Sequence, residues 1–278
     1  MDAQARQQQA RKAETFKALH ERSGIFVIPN PWDAGSAKML ASLGYQALAT
    51  TSAGYAFSQG RADGGLSLDD TLGNVRAIVA ATDLPVAVDL ENGFADAPAE
   101  SAQSLIRAAE AGAVGGSIED ATGREDSPIY CFEHAVARIE AAVAAVRTLP
   151  FPFTLTARAE NYLHGNPDLN DTIRRLQAFA EAGADVLYAP GLHTAEEVLA
   201  VVRAVAPKPV NVLMSGGLKL AVQQLEEMGV KRISTGSALA LAAFGEFFRA
   251  AEEIQQSGTF TFTSRSMPYA KANQFFKG

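Results

Sequence analysis

Four times in this 278-residue chain a helical segment ends at a glycine and runs straight into a short apolar stretch. Leu40-Ala41-Ser42-Leu43-Gly44-Tyr45 leads to Ala47-Leu48-Ala49. Ala108-Ala109-Glu110-Ala111-Gly112-Ala113 leads to Val114-Gly115-Gly116-Ser117-Ile118. Phe179-Ala180-Glu181-Ala182-Gly183-Ala184 leads to Val186-Leu187-Tyr188-Ala189, and Leu225-Glu226-Glu227-Met228-Gly229-Val230 leads to Arg232-Ile233-Ser234. A glycine just past a helix end takes up the left-handed backbone that closes the last turn. Proline supplies further strand starts, at Pro85, Pro152 and Pro209. With the run Ile25-Phe26-Val27-Ile28 at the front, the stretches 25–29, 46–52, 85–91, 114–120, 153–160, 186–190, 209–214 and 231–236 read as eight strands with helices between them. Alternating strands and helices imply parallel pairing, and eight such units imply an α/β fold closed into a (β/α)8 TIM-type barrel. The competing open, doubly wound sheet carries a glycine-rich turn after its first strand. Here that position holds Asn30-Pro31-Trp32-Asp33, with Asp33 as N-cap of a helix through Leu43.

The expected organisation is a single barrel domain over residues 1–278, with an N-terminal helix in 1–24 and C-terminal helices in 238–278. In that tail Ala238–Ile254 reads as a long helix, Thr259–Phe262 as extended, and Ser266–Phe276 as helical. Its apolar residues, among them Phe247, Phe248, Phe275 and Phe276, need a surface to cover, on this barrel or on a neighbour's.

A net charge of -7 and the lack of a Lys/Arg stripe argue against a nucleic-acid partner. An anionic substrate therefore needs local positive groups or a metal. The one cysteine, Cys131, excludes a disulfide within the chain and suits a reducing cytoplasm. The polar stretch Met1–Lys12 has no apolar core of a secretory signal, and no apolar run is long enough to span a membrane. The expected location is cytoplasmic, with no membrane partner.

In a barrel of this type the C-terminal strand ends form the active-site mouth. The strand ends here carry acids in succession. Val86-Ala87-Val88 runs into Asp89 and Glu91, two carboxylates one strand-step apart and so on the same side of an extended chain. Glu119 and Asp120 close the next strand, Arg158 and Glu160 the one after, and Asp63 sits in the loop after the second strand. Asn30 and Trp32, Thr51 and Ser52, Asn211 and Ser215, and Ser234 and Ser237 come from the other ends. Carboxylates gathered in this way repel one another severely without a counter-ion. Oxygen ligands without paired His or Cys favour a hard cation, Mg²⁺ before Mn²⁺. Arg158 suits a carboxylate or other anionic group of a substrate, gripped as a planar fork.

These residues resemble the isocitrate lyase and phosphoenolpyruvate mutase superfamily over about residues 25–245. Val88-Asp89-Leu90-Glu91-Asn92-Gly93-Phe94 is similar to its Asp-x-Asp-x-Gly-Tyr segment. Ser117-Ile118-Glu119-Asp120 is similar to its Ile-Glu-Asp, and Ala157-Arg158-Ala159-Glu160-Asn161-Tyr162 to its Ala-Arg-x-(Asp/Glu)-Ala stretch. Thr50-Thr51-Ser52-Ala53-Gly54 is similar to its Ser-Gly substrate loop. The resemblance implies a Mg²⁺-dependent lyase-type enzyme. It would cleave or rearrange a C–C or C–P bond next to a 2-oxo acid through an enolate-like species, on oxaloacetate- or phosphonopyruvate-like substrates. It implies metal ligation at Asp89 directly and at Glu91 and Glu119 through water, with Asp63 also acting through water. It implies Arg158, Glu119 and Asp63 as the catalytic set, with Thr51, Ser52, Ala53 and Asn211 binding a small 2-oxo or 2-hydroxy carboxylate. A homo-oligomer, dimer or tetramer, with the helix near 238–254 exchanged between subunits is implied as well.

The chain departs from the lyases in one loop. Theirs carries a Lys-Lys-Cys-Gly-His type sequence after strand 4, whose Cys delivers a proton. Here the loop reads Ala121-Thr122-Gly123-Arg124-Glu125-Asp126-Ser127-Pro128-Ile129-Tyr130-Cys131. Cys131 is expected to be a small packing residue. Arg124, Glu125, Asp126 and Tyr130 are the loop groups available for acid–base work, unless the loop simply gates the site. Two alternatives stay open. One is a non-catalytic or regulatory barrel that binds a 2-oxo carboxylate with Mg²⁺. The other is a phosphate-gripping barrel enzyme using the glycines of Ser215-Gly216-Gly217 and Thr235-Gly236-Ser237. Trp32 and Tyr55 could wall a pocket or anchor loops. The histidines have no metal spacing; His20 and His134 are expected at the surface, His164 and His193 in solvated loops.

Overall fold

The computed structural model describes residues 3–277; Met1, Asp2 and Gly278, at the ends of the expected domain, lie outside the described residues. All eight expected strands form, each shorter than the apolar run that contains it. They are β1 (Phe26–Ile28), β2 (Leu48–Ala49), β3 (Val86–Asp89), β4 (Gly115–Glu119), β5 (Thr154–Arg158), β6 (Val186–Tyr188), β7 (Val210–Leu213) and β8 (Arg232–Ser234). Every pairing is parallel, in the order β1-β8-β7-β6-β5-β4-β3-β2. Ala49 N–H donates to Pro29 O at 3.2 Å and brings β2 back to the end of β1. The sheet is thus a nearly closed (β/α)8 barrel.

The helices between the strands are α2 (Ala34–Ser42), α3 (Ser52–Ser58), α4 (Leu68–Ala81), α5 (Pro98–Glu110), α6 (Phe132–Val146), α7 (Leu169–Ala182), α8 (Ala195–Val205) and α9 (Val222–Glu227). Gly44, Gly112, Gly183 and Gly229, the punctuating glycines of the sequence, all have positive φ, from +82° to +109°. A side chain there would be strained, which explains why each helix stops where it does. Asp33 caps α2 as expected, accepting from Ser36 N at 2.7 Å.

The N-terminal helix α1 (Ala3–Glu21) lies across the bottom of the barrel. Ala13, Phe16 and Leu19 bury against Phe26, Ile28, Ala47, Ala87 and Val114. Phe16 is fully buried, and a Cβ at Gly115 would come within 2.7 Å of its ring. Burying such a phenyl ring contributes roughly 2–3 kcal/mol. His20 corrects the surface expectation. It is buried on the inner face of α1 between Phe16 and Phe26, with its Nε2 3.2 Å from Arg232 Nη1. The helical period that places Phe16 inward places residue 20 there too.

The tail consists of α10 (Ala238–Ser257), a 3-10 turn (Thr261–Arg265) and α11 (Tyr269–Phe276). The turn replaces the extended segment expected at 259–262. Glu253 causes it, accepting from Thr259 Oγ1 and from the N–H groups of Thr261 and Phe262. α11 folds back onto its own barrel, where Phe276 lies against Gly35 of α2. α10 does not: only Ala240 is buried, and Phe247 and Phe248 are 73% and 62% exposed. No helix among the described residues is long and apolar enough to cross a membrane.

Candidate active site

Strand alternation decides which residues reach the barrel interior. In the register of the sheet Asp89 lies beside Ser117, Glu119 beside Arg158, and Arg158 beside Tyr188. Their side chains line or edge a pocket of about 190 Å³ at the C-terminal mouth. Its walls include Asn30, Thr51, Ser52, Ala53, Asp63, Asp89, Arg158, Tyr188, Asn211, Ser234 and Ser237.

Arg158 is the centre of the cluster. Its Nη1 is 2.8 Å from Asp89 Oδ1, its Nη2 is 3.0 Å from Glu119 Oε2, and its Nε is 2.8 Å from Glu160 Oε1. Burial works against its charge, but Glu119, Glu160 and Asp89 outweigh burial and hold the guanidinium firmly protonated. Asp89 also accepts from Ser52 Oγ at 2.8 Å and Ser52 N at 3.3 Å, and its own N–H donates to Thr50 Oγ1. Thr51 caps α3, its Oγ1 accepting from Gly54 N. The expected strand over 46–52 therefore ends early, and Ser52 opens a helix.

Two arginines, Arg158 and the Arg232 below it at the pocket floor, do not neutralise five carboxylates. Burial first, and then the charges of Asp89 and Asp63, push the Glu91 carboxyl up to about 7. Asp63 sits on an exposed loop but leans over the pocket, and partial desolvation plus Asp89 raise it too. Burial raises Glu119 well above its ordinary value and Glu160 to about 6, against the pull of Arg158. The buried Glu91 Oε1 has no hydrogen-bond partner. Among the described residues no three Asp, Glu, His or Cys side chains converge tightly enough to cage a metal alone. An oxygen-only, over-negative site with an orphaned carboxylate oxygen fits a hard divalent cation that keeps several of its waters.

Some expected members turn elsewhere. Asp120 faces away from the pocket: its Oδ1 accepts from Glu160 N and its Oδ2 from Arg175 Nη1 of α7. Alternation along β4 sends Glu119 inward and its neighbour outward. In the loop after β4, Arg124 pairs with Asp96 at 2.8 Å and the Tyr130 hydroxyl donates to the same carboxylate. Two of the four expected acid–base candidates are thus tied to the loop after β3, and the other two, Glu125 and Asp126, are exposed and do not line the pocket. Cys131 is exposed at the start of α6 and is not a packing residue. Ser215, Gly216 and Gly217 lie exposed off the pocket, whereas Gly236 and Ser237 line it. Asn30 acts as a tie: its Oδ1 accepts from Thr235 N and Gly236 N, and its Nδ2 donates to Thr50 O.

Arg232 and Tyr188 stand out among the pocket residues that were not picked from the sequence as site residues. Arg232 is buried at the pocket floor, donating to Asn211 Oδ1 at 2.8 Å and Thr156 Oγ1 at 2.9 Å. Its two-residue spacing from Ser234 was the available signal. Tyr188 packs its ring 5.2 Å from the Arg158 guanidinium carbon. Its strand is apolar throughout, so alternation gave no hint.

Residues 16–255 match the phosphoenolpyruvate phosphomutase family. The chain belongs to that family. A candidate lyase/mutase from Burkholderia cenocepacia J2315 is 59% identical, with a TM-score of 0.95 and 98% of each chain covered. A 2,3-dimethylmalate lyase of the PEP mutase/isocitrate lyase superfamily is 25% identical, with a TM-score of 0.85, covering 95% of this chain and 94% of that one. The 2-methylisocitrate lyase of Escherichia coli K12 is 34% identical over 183 residues, 63% of this chain and 60% of the lyase. The family match spans every strand and every acid of the pocket, which places this chain in the isocitrate lyase/PEP mutase superfamily of lyases and mutases.

Proposed function

We propose that this barrel is a Mg²⁺-dependent lyase-type enzyme acting on a small 2-oxo or 2-hydroxy carboxylate. The observation that carries the reading is the fork of Arg158 among Asp89, Glu119 and Glu160, beside the unpartnered oxygen of Glu91. The lyase names of the relatives support the same reaction class. Asp89 would hold the metal directly, and Glu91, Glu119 and Asp63 through its waters. When bound, Mg²⁺ supplies Lewis-acid stabilisation of charge that develops on a substrate oxygen. Mn²⁺ meets the same oxygen donors.

The chain's own residues do the rest. Arg158 orients substrate oxygens. Thr51, Ser52, Ala53 and Asn211 line the place of the substrate carboxylate. Glu119 and Glu160 are carboxyls raised by burial on either side of Arg158, so the pair can take up a proton. Asp63 closes the rim. The uncovered apolar face of α10 supports a homo-oligomer, a dimer or tetramer in which this helix is covered by another subunit. The single free cysteine agrees with a cytoplasmic setting.

The test is a metal-supplemented screen of 2-oxo and 2-hydroxy acids read by release of the 2-oxo product, repeated on Asp89→Ala. Metal-dependent turnover should vanish in the variant; equal turnover would remove Asp89 from the mechanism. The tethering of Arg124 and Tyr130 to Asp96 favours a second reading, a regulatory barrel that binds without cleaving. Calorimetric binding of oxalate with Mg²⁺ and no turnover across the panel would establish that alternative.

A further inference from the structure

Tyr188 takes no part in the roles assigned so far, yet it is buried at the pocket wall beside Arg158. The hydrogen bonds beneath it have a fixed direction. Arginine has only N–H donors, so Arg232 Nε obliges Asn211 to present Oδ1 downward. The Asn211 amide nitrogen then faces Ser234, donating to its Oγ at 2.9 Å. Ser234 Oγ is thereby an acceptor from below, and its own proton is free to turn to the phenol oxygen of Tyr188, which lines the same pocket. A Tyr188 oxygen that accepts from Ser234 must turn its proton elsewhere. Among the described residues no acceptor takes it, and the space it faces is the pocket.

We propose that Tyr188 is a catalytic acid that protonates the carbon left by C–C cleavage, with Arg232, Asn211 and Ser234 as the positioning chain that keeps its proton aimed at the substrate. The proposal rests on the lyase reading above. It assigns to β6 the proton delivery that the loop after β4, with Arg124 and Tyr130 tied to Asp96 and with Glu125 and Asp126 exposed outside the pocket lining, does not offer.

For a 2-hydroxy acid the step balances as follows. The 2-hydroxyl proton passes to the Glu119–Glu160 pair, and the C2–C3 bond breaks to give the carbonyl of a 2-oxo acid. The electron pair stays on C3 as the enolate of the released carboxylate. A C3–H bond forms with that pair as the Tyr188 O–H bond breaks. The phenolate is held by the Ser234 hydroxyl and faced by Arg158, and after product leaves, water entering from the open mouth relays the proton held by the Glu119–Glu160 pair back to it. Burial pushes the phenol up to about 12, so the proton is present throughout the neutral range.

The experiment compares wild type with Tyr188→Phe, Ser234→Ala and Ser234→Thr on a panel of 2-hydroxy acids that includes 2,3-dimethylmalate and 2-methylisocitrate. Turnover is measured with Mg²⁺, and oxalate binding is measured by calorimetry as the control for fold and site. Tyr188→Phe should lower kcat by about 100- to 10,000-fold while oxalate affinity stays within about threefold. Ser234→Ala should lower kcat about tenfold with KM unchanged, and Ser234→Thr, which restores a hydroxyl, should recover most of it. A wild type that cleaves none of the panel overturns the lyase reading and this proposal with it. A wild type that cleaves, matched within threefold by Tyr188→Phe, overturns the proposal alone, as does loss of oxalate binding in Tyr188→Phe parallel to its loss of turnover.

Discussion

Arg175 Nη1 donates to Asp120 Oδ2 at 2.9 Å, outside the pocket, and through that carboxylate it braces the main chain of Glu160. Glu160 in turn pairs with Arg158. Arg175 is therefore a buried prop three contacts behind Arg158, with its side chain only 7% exposed and that of Asp120 1%.

Arg175→Met should cost about 3–5 kcal/mol, because it leaves the Asp120 carboxylate buried and unpaired. Urea unfolding at neutral pH measures this. A loss below ~1 kcal/mol would mean that Asp120 finds another partner or a proton.

Glu91 gives a pH prediction for the metal-free protein. Its folded value, about 7, lies above its ordinary one, so the folded state holds a proton that the unfolded chain has released. The stability from that proton is full below about pH 4.5 and is lost as pH rises through 7. Glu91→Gln, which cannot ionise, should therefore be more stable than wild type at pH 8 in EDTA, by ~1–2 kcal/mol after solvent screening. Added Mg²⁺ should narrow the gap by stabilising the ionised wild type alone. Melting curves with and without metal decide it.

His20 acts in the opposite direction. Burial and the Arg232 charge push its folded value down to about 3, so it stays neutral in the fold. Its contribution is full above about pH 6.5 and drains away as pH falls below that, at up to ~1.4 kcal/mol per pH unit. His20→Gln should flatten this part of the acid-stability curve. An unchanged slope would place the acid sensitivity elsewhere.

Asp96 tests the loop after β4. Asp96→Ala removes the partner of Arg124 and Tyr130 at an exposed site. Thermal unfolding should hardly change, while limited proteolysis within residues 121–131 should speed up several-fold. Unchanged cleavage would show that the Ala121–Ile129 bridge alone holds the loop.

The barrel was legible because its signals are local. A glycine after each helix and a proline before several strands mark boundaries that the backbone obeys, as the positive φ at Gly44, Gly112, Gly183 and Gly229 shows. Asp89, Glu119 and Arg158 were legible because a charge at the end of an apolar run is costly unless something uses it. Asp120 was misjudged because adjacent residues of a strand face opposite sides, and the phase of β4 was not fixed by a pattern apolar on both faces. Tyr188 and Arg232 were passed over for a related reason: their place is set by a chain of contacts across strands, Tyr188 of β6 beside Arg158 of β5 and Arg232 of β8 bonded to Asn211 of β7. Such a chain is a matter of register between strands, which local pattern does not encode. The 3-10 turn after α10 depends on Glu253 reaching forward to its donors, a contact visible only in three dimensions.

One side chain has a wider reach than its own neighbourhood. Arg138 of α6, nearly fully buried, donates to the carbonyls of Asn92, Ala95 and Asp96. That loop begins at Glu91 and includes Phe94, both non-glycine residues with positive φ, of 49° and 59°. Asp96 also anchors the loop after β4. The acid at 91 and the flap at 121–131 are thus mounted on a common bracket. A substitution in the flap should therefore register as altered cation affinity, and tighter cation binding should stiffen the flap, since coupling between two sites is reciprocal.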